Sequence, residues 1–170
     1  MSIPATGRIV STGNGQDIVI ERTFRAPIGD VWDSIVDPER MNRWIGTWSG
    51  EPGPGKRVQF TMTAEEGATP EDVLIHRCDA PRFLDVESFQ GGGSWRLTAR
   101  LSESGGVTTL RFSQSVDPAD EGAPSYGVGW EYYLDRLVAV HEGTPFAAWD
   151  EYYPAQVPYW EAELGKAAGT

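Results

Sequence analysis

Trp95-Arg96-Leu97-Thr98-Ala99-Arg100-Leu101 and, after Gly105-Gly106, Thr108-Thr109-Leu110-Arg111-Phe112-Ser113-Gln114-Ser115-Val116 carry the pattern that decides the fold. Side chains alternate between the faces of a strand. Trp95, Leu97, Ala99 and Leu101, then Leu110, Phe112, Gln114 and Val116, therefore share one face, opposite Arg96, Thr98, Arg100, Arg111 and Ser113. A two-glycine turn between two such runs predicts an antiparallel pair with one buried and one solvated side. Working back along the chain, strand-like runs recur at 83–89, at 72–78 and around Val58, Phe60 and Met62. Short Gly, Pro and Asp turns separate them, with no helix between, so the reading is an antiparallel meander.

Upstream, 8–12 and 17–24 flank Gly13-Asn14-Gly15 and read as a hairpin. Pro27 opens a short helix with Val31, Trp32, Ile35 and Val36 as its apolar stripe; Asp37-Pro38 caps and restarts a second, which stops at Gly46. Downstream the period changes. From Ser125 to about His141, Trp130, Leu134, Leu137, Val138 and His141 fall on one helical side, with Glu131, Asp135, Arg136 and Glu142 mostly away from it. Gly143 and Pro145 end this longest helix, and a shorter one is expected over 155–164. The expectation is an α+β domain over 1–170: a curved antiparallel sheet of about six or seven strands wrapped around a long C-terminal helix. Two short helices follow the first long strand, and 144–170 is an extension packing on the domain. A curved sheet gripping a helix leaves a gap between them, where small ligands bind.

Composition narrows the partners. With 14 Lys+Arg against 25 Asp+Glu in 170 residues, the formal charge of −11 repels polyanions, so neither nucleic acid nor an anionic membrane is an expected partner. The opening Met1-Ser2-Ile3-Pro4-Ala5-Thr6 has no charged stretch leading into an apolar segment, and a single cysteine, Cys78, cannot close an internal disulfide. Both point to a cytoplasmic protein.

Chemical motifs are sparse. Gly50-Glu51-Pro52-Gly53-Pro54-Gly55-Lys56 imitates a phosphate loop, but Pro52 and Pro54 remove backbone donors and Arg57 stands where a Ser or Thr would bind magnesium. His76, His141 and Cys78 offer no metal-ligand spacing, and Ser94 lies in no nucleophile motif, so no cofactor and no catalytic residue is expected. Seven tryptophans are several times the usual density; core packing explains most of them, and the alternative is that at least three line a cavity, since large aromatic walls with few polar groups suit an apolar ligand. Alternation and helical spacing converge Phe60, Met62, Trp95, Leu97, Phe112, Trp130, Leu134 and Leu137 on one enclosed space, with Trp44 and Trp48 near its entrance. Arg22 and His141 are its candidate polar groups. Arg22 shares a strand side with Ile18, Ile20 and Phe24, so it requires a carboxylate or several carbonyls within reach, or else anchors an anionic head group.

Several segments resemble one family in order and spacing. Glu21-Arg22-Thr23-Phe24-Arg25-Ala26-Pro27, Val31-Trp32, Asp37-Pro38-Glu39-Arg40 and Trp44 are similar to the opening signature of the homologues of the heat-shock-chaperone ATPase activator, within the START-related SRPBCC superfamily. Gly55-Lys56-Arg57-Val58 with Phe60, Asp79-Ala80-Pro81-Arg82, Trp95-Arg96-Leu97, Thr108-Thr109-Leu110 and the helical run from Gly129 to Leu137 extend the resemblance over about 7–165. It implies the helix-grip fold. Family members include small-molecule binders, cyclase-like enzymes and chaperone-associated modules. The resemblance is thus not specific for an activity, and the expectation, from the gap between helix and sheet, is binding of a small hydrophobic molecule there without catalysis. Its alternatives are a cyclase or isomerase using the same cavity, or an interaction module with a chaperone or homodimer partner. Two departures stand out: Ser88, where a bulky aromatic is expected, and the extra C-terminal aromatics Trp149, Tyr152, Tyr153, Tyr159 and Trp160.

With neither a ligand set nor a cysteine pair to stabilise it, the fold is expected to be indifferent to both chelator and reductant. A thermal midpoint that drops by several degrees with either reagent contradicts this.

Overall fold

The computed structural model describes residues 2–90 and 92–168. The meander expected from the alternating runs is present: β4 (Arg57–Thr61), β5 (Glu71–Asp79), β6 (Phe83–Gln90), β7 (Gly93–Ser104) and β8 (Val107–Val116) pair in sequence, each antiparallel to the next. Leu97 lies opposite Gln114, Ala99 opposite Phe112 and Leu101 opposite Leu110, so the shared face follows from register. The hairpin of β1 (Arg8–Thr12) and β2 (Gly15–Phe24) adds to the free edge of β8. At the far edge, β3 (Thr47–Ser49) pairs with β4, giving the order β1-β2-β8-β7-β6-β5-β4-β3.

The sheet thus has eight strands rather than six or seven. The added strand, Thr47-Trp48-Ser49, is too short for an alternation signal and exists because Trp48 pairs with Phe60. A register shift between Ile75 and Arg77 leaves His76 unpaired against β6. Such a bulge bends and twists its strand. It also lets Ile75 and Cys78, an odd number of residues apart, both face inward.

Between β2 and β3 stand α1 (Ile28–Val36) and α2 (Pro38–Met41). The Asp37 carboxylate caps α2, accepting from Glu39 N at 2.9 Å and Arg40 N at 3.1 Å. The long helix α3 spans Ala123–Glu142 and ends at Gly143, whose φ of 69° is the left-handed cap that glycine adopts without penalty. After a 3-10 turn at Trp149–Glu151 comes α4 (Val157–Ala168), two residues later than expected and running past 164. Among the described residues, no helix is long and apolar enough to cross a membrane.

The side of α3 expected to face water does not. Glu131 is 1% exposed, because the chain on both sides of the domain folds back over it. Trp160 of α4 lies so close to Gly127 of α3 that a Cβ there would meet the indole at 2.3 Å. Only glycine admits this approach. The N-terminal segment runs alongside, with Ile3 N donating to Glu151 O at 2.8 Å and Gln156 Nε2 to Ile3 O at 3.0 Å.

Beneath this cover Glu131 accepts from Thr6 N and Gly7 N, both at 2.7 Å, and from Arg22 Nη2 at 2.7 Å. Arg22 also donates to Asp135 Oδ1 and to Thr6 Oγ1, each at 2.8 Å, while Tyr152 Oη donates to Asp135 Oδ2 at 2.7 Å. One guanidinium thereby ties β2 to α3, and through the two carboxylates to both terminal segments. Burial and the Asp135 charge push the Tyr152 phenol well above its ordinary range, so it stays a donor.

Arg22→Met is expected to strand Glu131 as a buried unpaired charge and to cost about 3 to 5 kcal/mol of unfolding free energy, read by denaturant titration. A change within error would mean that water reaches this network.

Candidate functional site

The inward faces of sheet and helix do not meet everywhere. Helix α3 packs along β2, and α1 packs on β7 and β8. The inward side chains of β4, β5 and β6 instead face open space, a cavity of about 520 Å³ bounded by α3, α1, α2 and the sheet. That size falls within the range of small-molecule sites.

Every aliphatic and aromatic residue assigned to the cavity from sequence lines it. Phe60, Trp95, Leu97 and Phe112 come from the sheet, Met62 from just past the end of β4, Trp130, Leu134 and Leu137 from one stripe of α3, and Trp44 and Trp48 from the segment joining α2 to β4. Trp44 is a buried wall, its indole N–H donating to Ser34 O at 2.8 Å; that of Trp48 donates to Val36 O at 2.8 Å. Trp130 packs against Phe112 with ring centroids 4.2 Å apart and donates to Gln114 Oε1 at 2.6 Å. With these N–H groups spent on protein acceptors, the three indoles present apolar faces to the interior.

The polar candidates are elsewhere. Neither Arg22 nor His141 lines the cavity. Arg22 takes the structural pairing just described, with its side chain 10% exposed. His141 sits at the end of α3 against α1, edge-on to Phe24 at 5.2 Å, with Nε2 2.9 Å from Ser34 Oγ. The Ser34 hydroxyl proton goes to Asp30 O, so the imidazole Nε2 is the donor and His141 binds these elements together. Helical spacing puts His141 in line with Leu134 and Leu137, but its last turn has already passed the cavity's end.

Polar lining enters instead from β5 and β6, where the sequence reading placed none. Glu71, Ser88 and Gln90 all line the cavity. Ser88 Oγ donates to Glu71 Oε2 at 3.2 Å and accepts from Gln90 Nε2 at 3.1 Å. Burial, and to a lesser extent the charge of Glu65, hold the Glu71 carboxyl above the ordinary carboxylate range, against the opposing hydrogen bond from Ser88. The signal available in the sequence was Ser88 itself, a small hydroxyl in place of an aromatic. Cys78 also reaches the lining, with its thiol pushed up by burial and by Asp79, the reverse of what an activated nucleophile needs. Among the described residues, no group of three or more His, Cys, Asp and Glu side chains is placed to hold a metal ion.

Comparison with known proteins agrees with this geometry. The model of the family described as Activator of Hsp90 ATPase homolog 1-like protein matches residues 25–142. The crystal structure of CalU16 from Micromonospora echinospora superposes with a TM-score of 0.74 at 26% identity, covering 94% of this chain and 96% of that one. Its solution NMR structure gives 0.74 at 23% identity, over 98% and 100%. DynU16, a protein of the dynemicin biosynthetic locus, gives 0.66 at 19% identity over 78% of this chain and 49% of its own, a likeness of fold. No curated protein matches the sequence.

His141 carries a pH prediction. Burial, reinforced by the positive charge of Arg40, lowers its pKa below the ordinary 6.5, against a weaker pull from Asp30. The neutral ring is thus the folded form, and the unfolded chain binds the extra proton first. The stability it confers is present above about pH 6.5 and lost as pH falls through the folded pKa. An NMR titration of the ring is expected to place its midpoint below that of a free imidazole, and a midpoint above it would refute the assignment.

Proposed function

Because the chain belongs to the Activator of Hsp90 ATPase homolog 1-like family, we propose that it works as that fold's cavity suggests, by binding a small hydrophobic molecule between α3 and the sheet without chemical change to it. The observation that carries this reading is the 520 Å³ space itself, walled by aromatic and aliphatic side chains from six strands and three helices. Leaving such a space empty is costly for a core, since its lining loses dispersion partners. A ligand of matching shape restores them and removes its own apolar surface from water.

Two further observations support binding over catalysis. The groups that a charge-handling reaction would have drawn on, Arg22 and His141, are spent on structural contacts outside the cavity. Cys78 is held as a thiol. A cyclase-like reaction in the same space is the second reading. The presence of DynU16 in a biosynthetic locus is in keeping with it, and Glu71, a cavity carboxyl whose pKa burial raises, is the group it would use.

Native mass spectrometry of protein purified from producing cells is expected to show a retained small molecule, and 1-methylpyrene is expected to bind with energy transfer from the wall tryptophans. Val86→Phe, which fills the space from the centre of β6, is expected to weaken the probe by at least about tenfold, a loss of about 1.4 kcal/mol, at little change in thermal midpoint. Failure of both measurements on the unsubstituted protein overturns the proposal. Release of a molecule chemically altered from the one supplied favours the second reading.

A further inference from the structure

Three polar residues of the cavity lining, Glu71, Ser88 and Gln90, are gathered at one place. Antiparallel register puts Val73 opposite Ser88 and Asp72 opposite Phe89, and carried one residue further it sets Glu71 opposite Gln90. Glu71, Ser88 and Gln90 therefore occupy adjacent positions on the cavity face. Their neighbours on that face are aromatic: Phe60 lies across from Glu71, and Trp95 across from Ser88. A short polar strip crosses an apolar wall, with a ring on either side.

Counting protons shows what the strip can recognise. Ser88, 4% exposed, spends its only hydroxyl proton on Glu71 Oε2 and receives one from Gln90 Nε2. Among the described residues, Glu71 Oε1 takes no such bond. The strip is polarised so that its terminal group is an acceptor, with a second Gln90 N–H beside it. A ligand meeting this end must donate. It must also carry no negative charge, because Glu71 is already under the influence of Glu65 and the chain as a whole is formally −11.

The small side chain at Ser88 contributes twice. It leaves room for a ligand where an aromatic would fill the space, and its hydroxyl orients the Glu71 carboxyl toward the interior. Neither effect is needed for stability, since an apolar residue at 88 would join the wall without requiring partners.

We propose that Glu71, Ser88 and Gln90 form the anchoring subsite of the cavity, and that its ligand is a neutral, largely apolar molecule that donates a hydroxyl proton to Glu71. This rests on the reading of the cavity as a ligand site. The flanking rings hold the apolar body, and the single donated bond fixes its orientation. A carboxylate ligand is rejected by the same group that accepts the hydroxyl.

Three pyrenes of one shape test it by energy transfer from the tryptophans: 1-pyrenemethanol, 1-methylpyrene and pyrene-1-carboxylate. The alcohol is expected to bind about tenfold more tightly than the methyl compound, as suits a hydrogen bond to a charged acceptor, and the carboxylate more weakly than either. In Glu71→Leu the ratio of alcohol to methyl-compound affinity falls to about one. In Glu71→Gln, which keeps the side chain's shape and decides the matter if the leucine variant fails to fold, the carboxylate gains about tenfold and the alcohol loses several-fold. Equal binding of alcohol and methyl compound, or a preference that survives in Glu71→Gln, overturns the anchor and leaves the cavity reading intact. Binding of none of the three overturns the anchor, and overturns the cavity reading as well where native mass spectrometry also shows no retained molecule.

Discussion

The Arg22 guanidinium, buried between Glu131 and Asp135, holds the two layers of this protein in place. Its removal from water costs several kcal/mol per ion and is offset only by near-ideal geometry. That requirement fixes β2, α3 and the N-terminal segment relative to one another, since donors from β2 and the N-terminal segment converge on Glu131 of α3. Non-directional apolar packing would leave α3 free to slide along the sheet. The charged network does not, and the position of α3 over β2 is what leaves the far strands uncovered.

The cavity is a consequence of that placement. One helix cannot cover eight twisted strands. With α3 over β2, and α1 over β7 and β8, the inward side chains of β4 to β6 face space that no element fills. The short helices close one end: Arg136 of α3 donates to Trp44 O at 2.8 Å, and the Trp44 and Trp48 indoles reach back to carbonyls of α1. The walls are therefore braced by hydrogen bonds directed away from the cavity, which keeps the indole faces that line it apolar.

The C-terminal aromatics that depart from the family pattern belong to a different part of the structure. Trp160 and Tyr152 are fully buried, but behind α3, against Gly127 and Asp135. Their position gives the helix two buried sides and shields the Arg22 network from water, so this segment acts on the cavity only by fixing its roof. Tyr132 and Trp149 extend the same cluster outward, with rings 5.2 Å apart and edge to face.

Local order was legible in the amino-acid sequence because it rests on periodicity. The alternation along 95–101 and 108–116 determined which side chains share a face, and the helical spacing of Trp130, Leu134 and Leu137 determined the stripe that meets them. Together these were enough to specify the apolar walls. Three things were decided only by the tertiary structure. Thr47–Ser49 becomes a strand because β4 offers it an edge. Glu131, on the polar side of its helix by any periodic reading, is buried because α4 and the N-terminal segment fold over α3 and residues more than 100 positions away supply its donors. Glu71 and Ser88 become partners across 17 residues through the register of β5 on β6, and so set the polar strip of the cavity. Each depends on contacts between residues far apart in the chain, which side-chain periodicity within one element does not encode.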